Sequence, residues 1–182
     1  MNPTLQNGYS NLRKLGNITT PYGGSTTNEP FHPAVDVANA KGTPIPSFTP
    51  GTVVEATSGH VNGDYGFGNI VKIKDKQGVI HQYAHLNQPL VKPGQVVGKN
   101  QVIAKMGDSG NSYSKTGGDS SHLDYRASAN GKYINPLHYT NGLNIQNHNS
   151  GGMGGMGGKG GGVGKNDLSS KFCAIYNKYS NG

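Results

Sequence analysis

The 182-residue chain has a single cysteine, Cys173, so no intrachain disulfide can form and a four-thiolate zinc site is excluded. Any metal must be held by His, Asp or Glu. No apolar run approaches the roughly 18 residues that read as a bilayer-crossing helix, so no membrane span is expected. The opening Met1-Asn-Pro-Thr4 has neither the basic start nor the apolar stretch of a secretion signal, and a target outside the cell would be reached by another route. Acidic residues are also scarce: 9 Asp and Glu stand against 16 Lys and Arg, for a formal charge of +7. That balance favours polyanionic partners such as nucleic acid, wall polymers or anionic membrane. The basic residues are scattered, and no aromatics are interleaved with arginine, which argues against nucleic acid. The length suits one ordinary domain with extensions.

Residues 1–17 are polar, with a short helical or extended stretch around 12–15, and read as a lead-in. Residues 18–142 carry short β-branched runs at 43–45, 51–55, 69–73, 79–86, 95–97, 101–104 and 122–126, separated by Gly, Pro and Asn. This pattern predicts an all-β domain. Asp75-Lys-Gln-Gly78, between two of the runs, predicts a tight antiparallel hairpin. Residues 143–165 read as a flexible linker, because the glycine tract at 151–164 cannot bury enough apolar surface to offset chain entropy. In 166–182, Leu168, Phe172, Ile175, Tyr176 and Tyr179 follow Asp167 at helical spacing and predict a short amphipathic helix. Its apolar face would need a surface, on this chain or on a partner; the alternative is a frayed tail.

The residues that carry chemistry fall in three places. In Phe31-His-Pro-Ala-Val-Asp36, His32 and Asp36 are four apart and share a face if the segment is extended. Imidazole and carboxylate are zinc-type ligands, although such a pair also arises by chance on surfaces. Along 79–86, strict alternation puts Val79, His81, Tyr83 and His85 on one face, with Ile80, Gln82, Ala84 and Leu86 on the other. In Ser121-His-Leu-Asp-Tyr-Arg126, His122 and Asp124 share a face opposite Leu123 and Tyr125. A lone strand histidine is usually structural; three such strands in one small β domain point to a site.

The ordered motifs Ile18-Thr-Thr-Pro-Tyr-Gly23, Phe31-His-Pro-Ala-Val-Asp-Val37, Gly42-Thr-Pro-Ile45, Gly51-Thr-Val-Val54, Tyr65-Gly-Phe-Gly-Asn-Ile-Val71, Tyr83-Ala-His-Leu86, Val91-Lys-Pro-Gly-Gln95, His122-Leu-Asp124 and Asn135-Pro-Leu137 resemble the lysostaphin/LytM-type zinc metallopeptidases, the M23 endopeptidases of bacterial peptidoglycan. The resemblance spans residues 18–139. It implies that fold, an antiparallel sheet, with His32 and Asp36 as zinc ligands and His85 and His122 as catalytic histidines. The third motif departs from the family's His-x-His, since Asp124 stands where the last ligand imidazole is expected. A carboxylate still binds zinc at about 2.0–2.2 Å. Two carboxylates would weaken the ion's Lewis acidity and shift preference toward harder ions such as Mn²⁺. The Gly/Ser/Thr-rich loop at 107–119 looks longer than the family's.

The resemblance thus implies metal-assisted peptide hydrolysis, with the ion held by His32, Asp36 and Asp124 and with His85 and His122 orienting and deprotonating water or stabilising the oxyanion. Tyr22 and Tyr83 are candidate extra donors or packing residues. His60, His81, His138 and His148 read as structural or surface residues. The competing reading is a degenerate module that has lost hydrolysis and serves wall binding or tail assembly. The expected partner is bacterial peptidoglycan. The expected setting is a phage virion, with tail proteins met through the C-terminal segment; the alternative is an extracellular lysin. The glycine tract argues against unrestricted glycyl-glycine cleavage, because such an enzyme would cut its own linker.

Overall fold

The computed structural model of the protein describes residues 3–27, 29–114 and 117–144. The expected tail elements, the end of the linker and the C-terminal helix, lie outside the described residues, as do Cys173 and His148. In chain order the elements are α1 (Pro3–Leu12), β1 (Asn17–Thr20), β2 (Val35–Ala38), β3 (Pro44–Pro46), β4 (Gly51–Ala56), β5 (Asn69–Lys74), β6 (Ile80–Pro89), β7 (Val96–Val97), β8 (Val102–Met106), β9 (His122–Ala129), β10 (Lys132–Ile134) and a 3₁₀ turn at Pro136–Tyr139. The strands pair antiparallel in the order β1-β2-β9-β6-β5-β4-β7; β10 pairs with β9, and β8 joins β3 to the far end of β6. The expected hairpin joins β5 to β6: Gly78 takes φ +83°, and Asp75 Oδ1 accepts from the N–H groups of Gln77 and Val79.

Period-two alternation separates the faces of the sheet. On one face, cross-strand rungs join Val35, Tyr125, Tyr83 and Val71, and then Ala127, His81, Ile73 and Val53. These side chains are buried, and Phe48 caps them edge-on at 5.2 Å from the Tyr83 ring and 4.5 Å from that of Tyr125. On the other face, Asp36 pairs with Asp124 and Asp124 with Ala84; Ala38 pairs with His122, and Arg126 with Gln82. The central strand β9 is therefore flanked by the two strands that bring the remaining polar groups.

The segment read as a lead-in contributes to the core instead. Tyr9 and Leu12 on α1, with Leu15 just beyond it, are buried, and Leu5 packs at their edge. The helix runs close over the 3₁₀ turn: a Cβ on Gly8 would lie 2.7 Å from the Leu137 carbonyl oxygen, so glycine permits the approach. A single turn of apolar spacing carries little sequence signal, and the packing supplies the helix's stability.

Candidate metal centre

Asp36 and Asp124 face each other across the β2–β9 pair. Like charges directly opposite on adjacent strands repel, so this rung needs a cation between or beside them. His32 supplies one group. It is not on the strand, as the extended reading had it, but in the preceding loop, tied to residues 23 and 24 by two backbone hydrogen bonds and followed by Pro33. From there its Nε2 lies 3.0 Å from Asp36 Oδ1 and 3.9 Å from Asp124 Oδ2. The three side chains are buried, and their donor atoms lie within 4.8 Å of one another.

Two residues that the sequence reading left aside complete the cluster. Glu29 Oε2 accepts from His32 Nδ1 at 2.6 Å. Arg126 donates from Nε and Nη2 to both oxygens of Asp124, at 2.8 to 3.2 Å, and from Nη1 and Nη2 to Glu29 at 3.2 and 3.4 Å. Its guanidinium lies over the Phe67 ring, 4.7 Å from the centroid. The signals were present: Arg126 is two residues beyond Asp124, hence on the same face, and Glu29 is three residues before His32. Burial alone would lower the pKa of His32, but the hydrogen bond and charge of Asp36, with Asp124 and Glu29 behind them, raise it. Burial pushes the Asp36 carboxyl upward, and it is nonetheless held below the usual range by the His32 hydrogen bond and the nearby charge of His122.

The histidines meet because of a bulge. Between β5 and β6 the register steps from Val71 opposite Tyr83 to Asn69 opposite Leu86, leaving one extra residue on β6. His85 takes it up with φ +58°, a left-handed conformation uncommon for a side-chain-bearing residue. Strict alternation placed His85 with His81; the bulge instead turns it toward His122, with ring centroids 4.7 Å apart, and returns Leu86 to the core. His85 Nδ1 donates to the Ser109 carbonyl at 2.8 Å, and His122 Nδ1 donates to the Ser120 carbonyl at 2.8 Å, with Ser112 Oγ at 3.3 Å. In the neutral rings Nε2 is then the acceptor on each. Burial, with His122 adjacent, lowers the pKa of His85.

Close backbone contacts hold these carbonyls. Gly68 lies against Ser109 and Gly110 so tightly that a Cβ would come within 2.4 Å of the Ser109 carbonyl carbon. Asn62 Nδ2 donates to the Asp108 carbonyl at 2.8 Å and to Ser120 Oγ at 3.2 Å, joining the β4–β5 loop to the loop before β9.

Other candidates fall outside the centre. Tyr83 is not a site donor: it is fully buried on the opposite face, and its Oη accepts from the Phe48 N–H at 2.8 Å. Tyr22 packs edge-on against Phe31, with ring centroids 5.4 Å apart. His81 is a core residue, with Nδ1 2.8 Å from Tyr125 Oη and Nε2 3.1 Å from Asp75 Oδ2. His60 sits at the surface beside Asp64, and His138 is exposed in the 3₁₀ turn.

The donor set fits a divalent ion. Four-coordinate zinc with bonds of about 2.0–2.2 Å places its ligand atoms roughly 3.4 Å apart. The separations of 3.0 and 3.9 Å found here bracket that figure. A metal-bound imidazole whose other nitrogen donates to a carboxylate is the usual outer arrangement, and Glu29 provides it for His32.

Comparison with known proteins places this geometry. The chain is 33% identical over 124 residues to the murein hydrolase activator NlpD of Escherichia coli, a match covering 68% of this chain and 29% of that protein. It also resembles two solved structures: the catalytic domain of lysostaphin from Staphylococcus simulans (TM-score 0.54, 26% identity, 71% of this chain and 94% of that one) and that of a mutant of the prophage-encoded M23 protein EnpA from Enterococcus faecalis (TM-score 0.53, 29% identity, 65% and 87%). The chain spans about a third of the length of the curated relatives it matches, 37% for a Pseudomonas aeruginosa lipoprotein and 29% for NlpD. The sequence model of peptidase family M23 matches residues 30–136, which contain His32, Asp36, His85, His122 and Asp124; the chain belongs to peptidase family M23.

Proposed function

We propose that the protein is a metal-dependent endopeptidase that hydrolyses peptide bonds of bacterial peptidoglycan. The observation that carries this reading is the convergence of His32 Nε2, Asp36 and Asp124 within one buried cluster, beside two histidines whose Nδ1 atoms are committed to backbone carbonyls. His32, Asp36 and Asp124 would hold zinc or, given two carboxylates, a harder ion such as Mn²⁺. A bound ion supplies Lewis acidity toward the scissile carbonyl and lowers the pKa of water. His85, kept neutral by burial, accepts a proton from the attacking water at Nε2. His85 then passes that proton to the departing amine, and His122, whose Nε2 is likewise an acceptor, orients the attacking water. Family membership, and similarity to the lysostaphin catalytic domain along 94% of its length, support the assignment.

The setting we propose is a phage particle that carries the domain to the wall, with tail proteins as partners; likeness to a prophage-encoded M23 protein supports it. Detection of the chain in the proteome of purified particles is the expected result, and its absence there in favour of the culture medium would place it as an extracellular lysin.

A second reading has one observation in its favour. Asp124 is already paired with Arg126, as in a site neutralised without metal, and the Escherichia coli relative is named a hydrolase activator. On that reading the domain binds wall or assembles tails and does not cut. The deciding experiment loads the full chain with zinc, measures bound metal, and digests purified sacculi with and without EDTA. Stoichiometric metal and EDTA-sensitive release of peptide amines are expected. Sacculus binding with neither metal nor release would establish the non-catalytic module.

A further inference from the structure

Arg126 and Glu29 are groups at the centre whose roles the family resemblance did not supply. The Arg126 guanidinium grips Asp124 as a fork, through Nε to Oδ1 at 2.9 Å and Nη2 to Oδ2 at 2.8 Å. A carboxylate has about four lone-pair sites, and the fork's three contacts, with Nε also reaching Oδ2 at 3.2 Å, leave at least one for a metal. Of the two oxygens, Oδ2 lies 3.9 Å from His32 Nε2. The guanidinium is itself fixed by Glu29 and by the Phe67 face, and Arg126 is 4% exposed. Glu29 therefore has two tasks: it receives His32 Nδ1 directly, and it backs the arginine that holds Asp124.

Charge supports the same assignment. Three carboxylates converge here, Glu29, Asp36 and Asp124, against one permanent cation, Arg126. A divalent ion brings that set to neutrality, whereas without Arg126 the ion would face an excess of negative charge in a buried place. An aspartate is also shorter than the imidazole expected at its position, and a short carboxylate must be held in place to point at a common centre.

We propose that Glu29 and Arg126 form a shared outer shell that orients His32 and Asp124 as metal ligands, with Arg126 the positioning residue through which an aspartate serves in place of a histidine. This inference rests on the metal-dependent reading above. Outer partners of metal ligands typically contribute about 10- to 100-fold in metal affinity. The test is zinc titration of the full chain by calorimetry, for wild type, Arg126→Gln, Arg126→Lys, Glu29→Gln, Asp124→His and Asp124→His with Arg126→Gln. Arg126→Gln and Glu29→Gln should each weaken zinc binding by about 10- to 100-fold. Arg126→Lys, which keeps the charge without the fork and serves if the glutamine variant does not fold, should also weaken it.

In the Asp124→His background, loss of Arg126 should change affinity by less than about threefold, because the residue through which it acts is gone. Equal or tighter binding by the Arg126 variants would overturn the inference and make the arginine a competitor of the metal. The same loss persisting beside His at 124 would overturn it as a general structural effect. A wild-type chain that binds no zinc or manganese would overturn both this inference and the enzymatic reading; normal wild-type binding with indifferent Arg126 variants would overturn this one alone.

Discussion

Ser109→Ala tests how the fold aims His85. The Ser109 hydroxyl is buried; it accepts from the Asn69 backbone N–H at 2.9 Å and donates to the Leu86 carbonyl at 2.6 Å. The Leu86 carbonyl keeps a second donor, Asn69 Nδ2 at 3.0 Å, so its loss is small. The Asn69 N–H loses this acceptor, and a buried donor left unpaired costs about 1–3 kcal/mol. The expected loss is about 2 kcal/mol, or a fall in Tm of roughly 6 °C for a domain of this size. Urea unfolding in EDTA, followed by circular dichroism, measures it. The carbonyl of the same residue receives His85 Nδ1–H, so peptide release should also fall, on the order of tenfold, because small displacements of a catalytic group are costly. Ser109 has no hydrogen bond to the three ligand residues, and zinc affinity should be unchanged. A stability loss below about 0.5 kcal/mol, within the range of an ordinary surface substitution, would refute the account.

The core histidine gives a pH signature. Burial lowers the pKa of His81 despite Asp75, so the unfolded chain takes up this proton first as pH falls. The stabilisation is fully present above about pH 6.5, the unfolded value, and is lost toward the lower folded value, with a slope of at most about 1.4 kcal/mol per pH unit. His32, whose pKa is raised, runs the opposite way, so the contribution is isolated as the difference between wild type and His81→Gln in urea unfolding from pH 8 to 5; parallel curves would sink it. Tyr83→Phe should cost about 1–2 kcal/mol through the unpaired Phe48 N–H while leaving zinc affinity and catalysis as they were, and a selective loss of turnover would return Tyr83 to the site.

The strands were legible because they alternate. β5, β6 and β9 carry β-branched and aromatic residues at period two, and the turn at 75–78 has the side chain and the glycine that a hairpin needs. That same rule failed at His85, where one residue with positive φ shifts the period and moves an imidazole from the core face to the site. Nothing local in Tyr83-Ala-His-Leu86 announces a bulge; it is set by the pairing with β5 and by the Ser109 loop. His32 was placed on a strand because spacing alone cannot distinguish an extended segment from a loop pinned by residues 23 and 24. The α1 helix was missed for a related reason, since its apolar face is short and its stability comes from the 3₁₀ turn beneath it.

The candidate ligand set was named only through resemblance, and the proposed outer shell not even so, for a physical reason. Ligands are recognised by chemistry that tolerates few residue types, whereas an outer partner needs only a donor or acceptor of suitable reach. On composition, Arg126 is one of 16 basic residues, and Glu29 lies 97 positions away from it in sequence. What singles them out is the opposition of Asp36 and Asp124 on neighbouring strands. Two buried carboxylates on one rung repel unless positive charge is fixed nearby, and the fold offers two sources: His32 from the loop and Arg126 from the next same-face position on β9. The imidazole nitrogen that lies between the carboxylates is also the atom that a metal needs, whereas the guanidinium approaches Asp124 while backed by Glu29. The two cations are therefore not equivalent: a divalent ion, on the proposed reading, would take the place of the proton at His32 Nε2 and leave the arginine where it is, so that the aspartate at 124 would meet the metal already held.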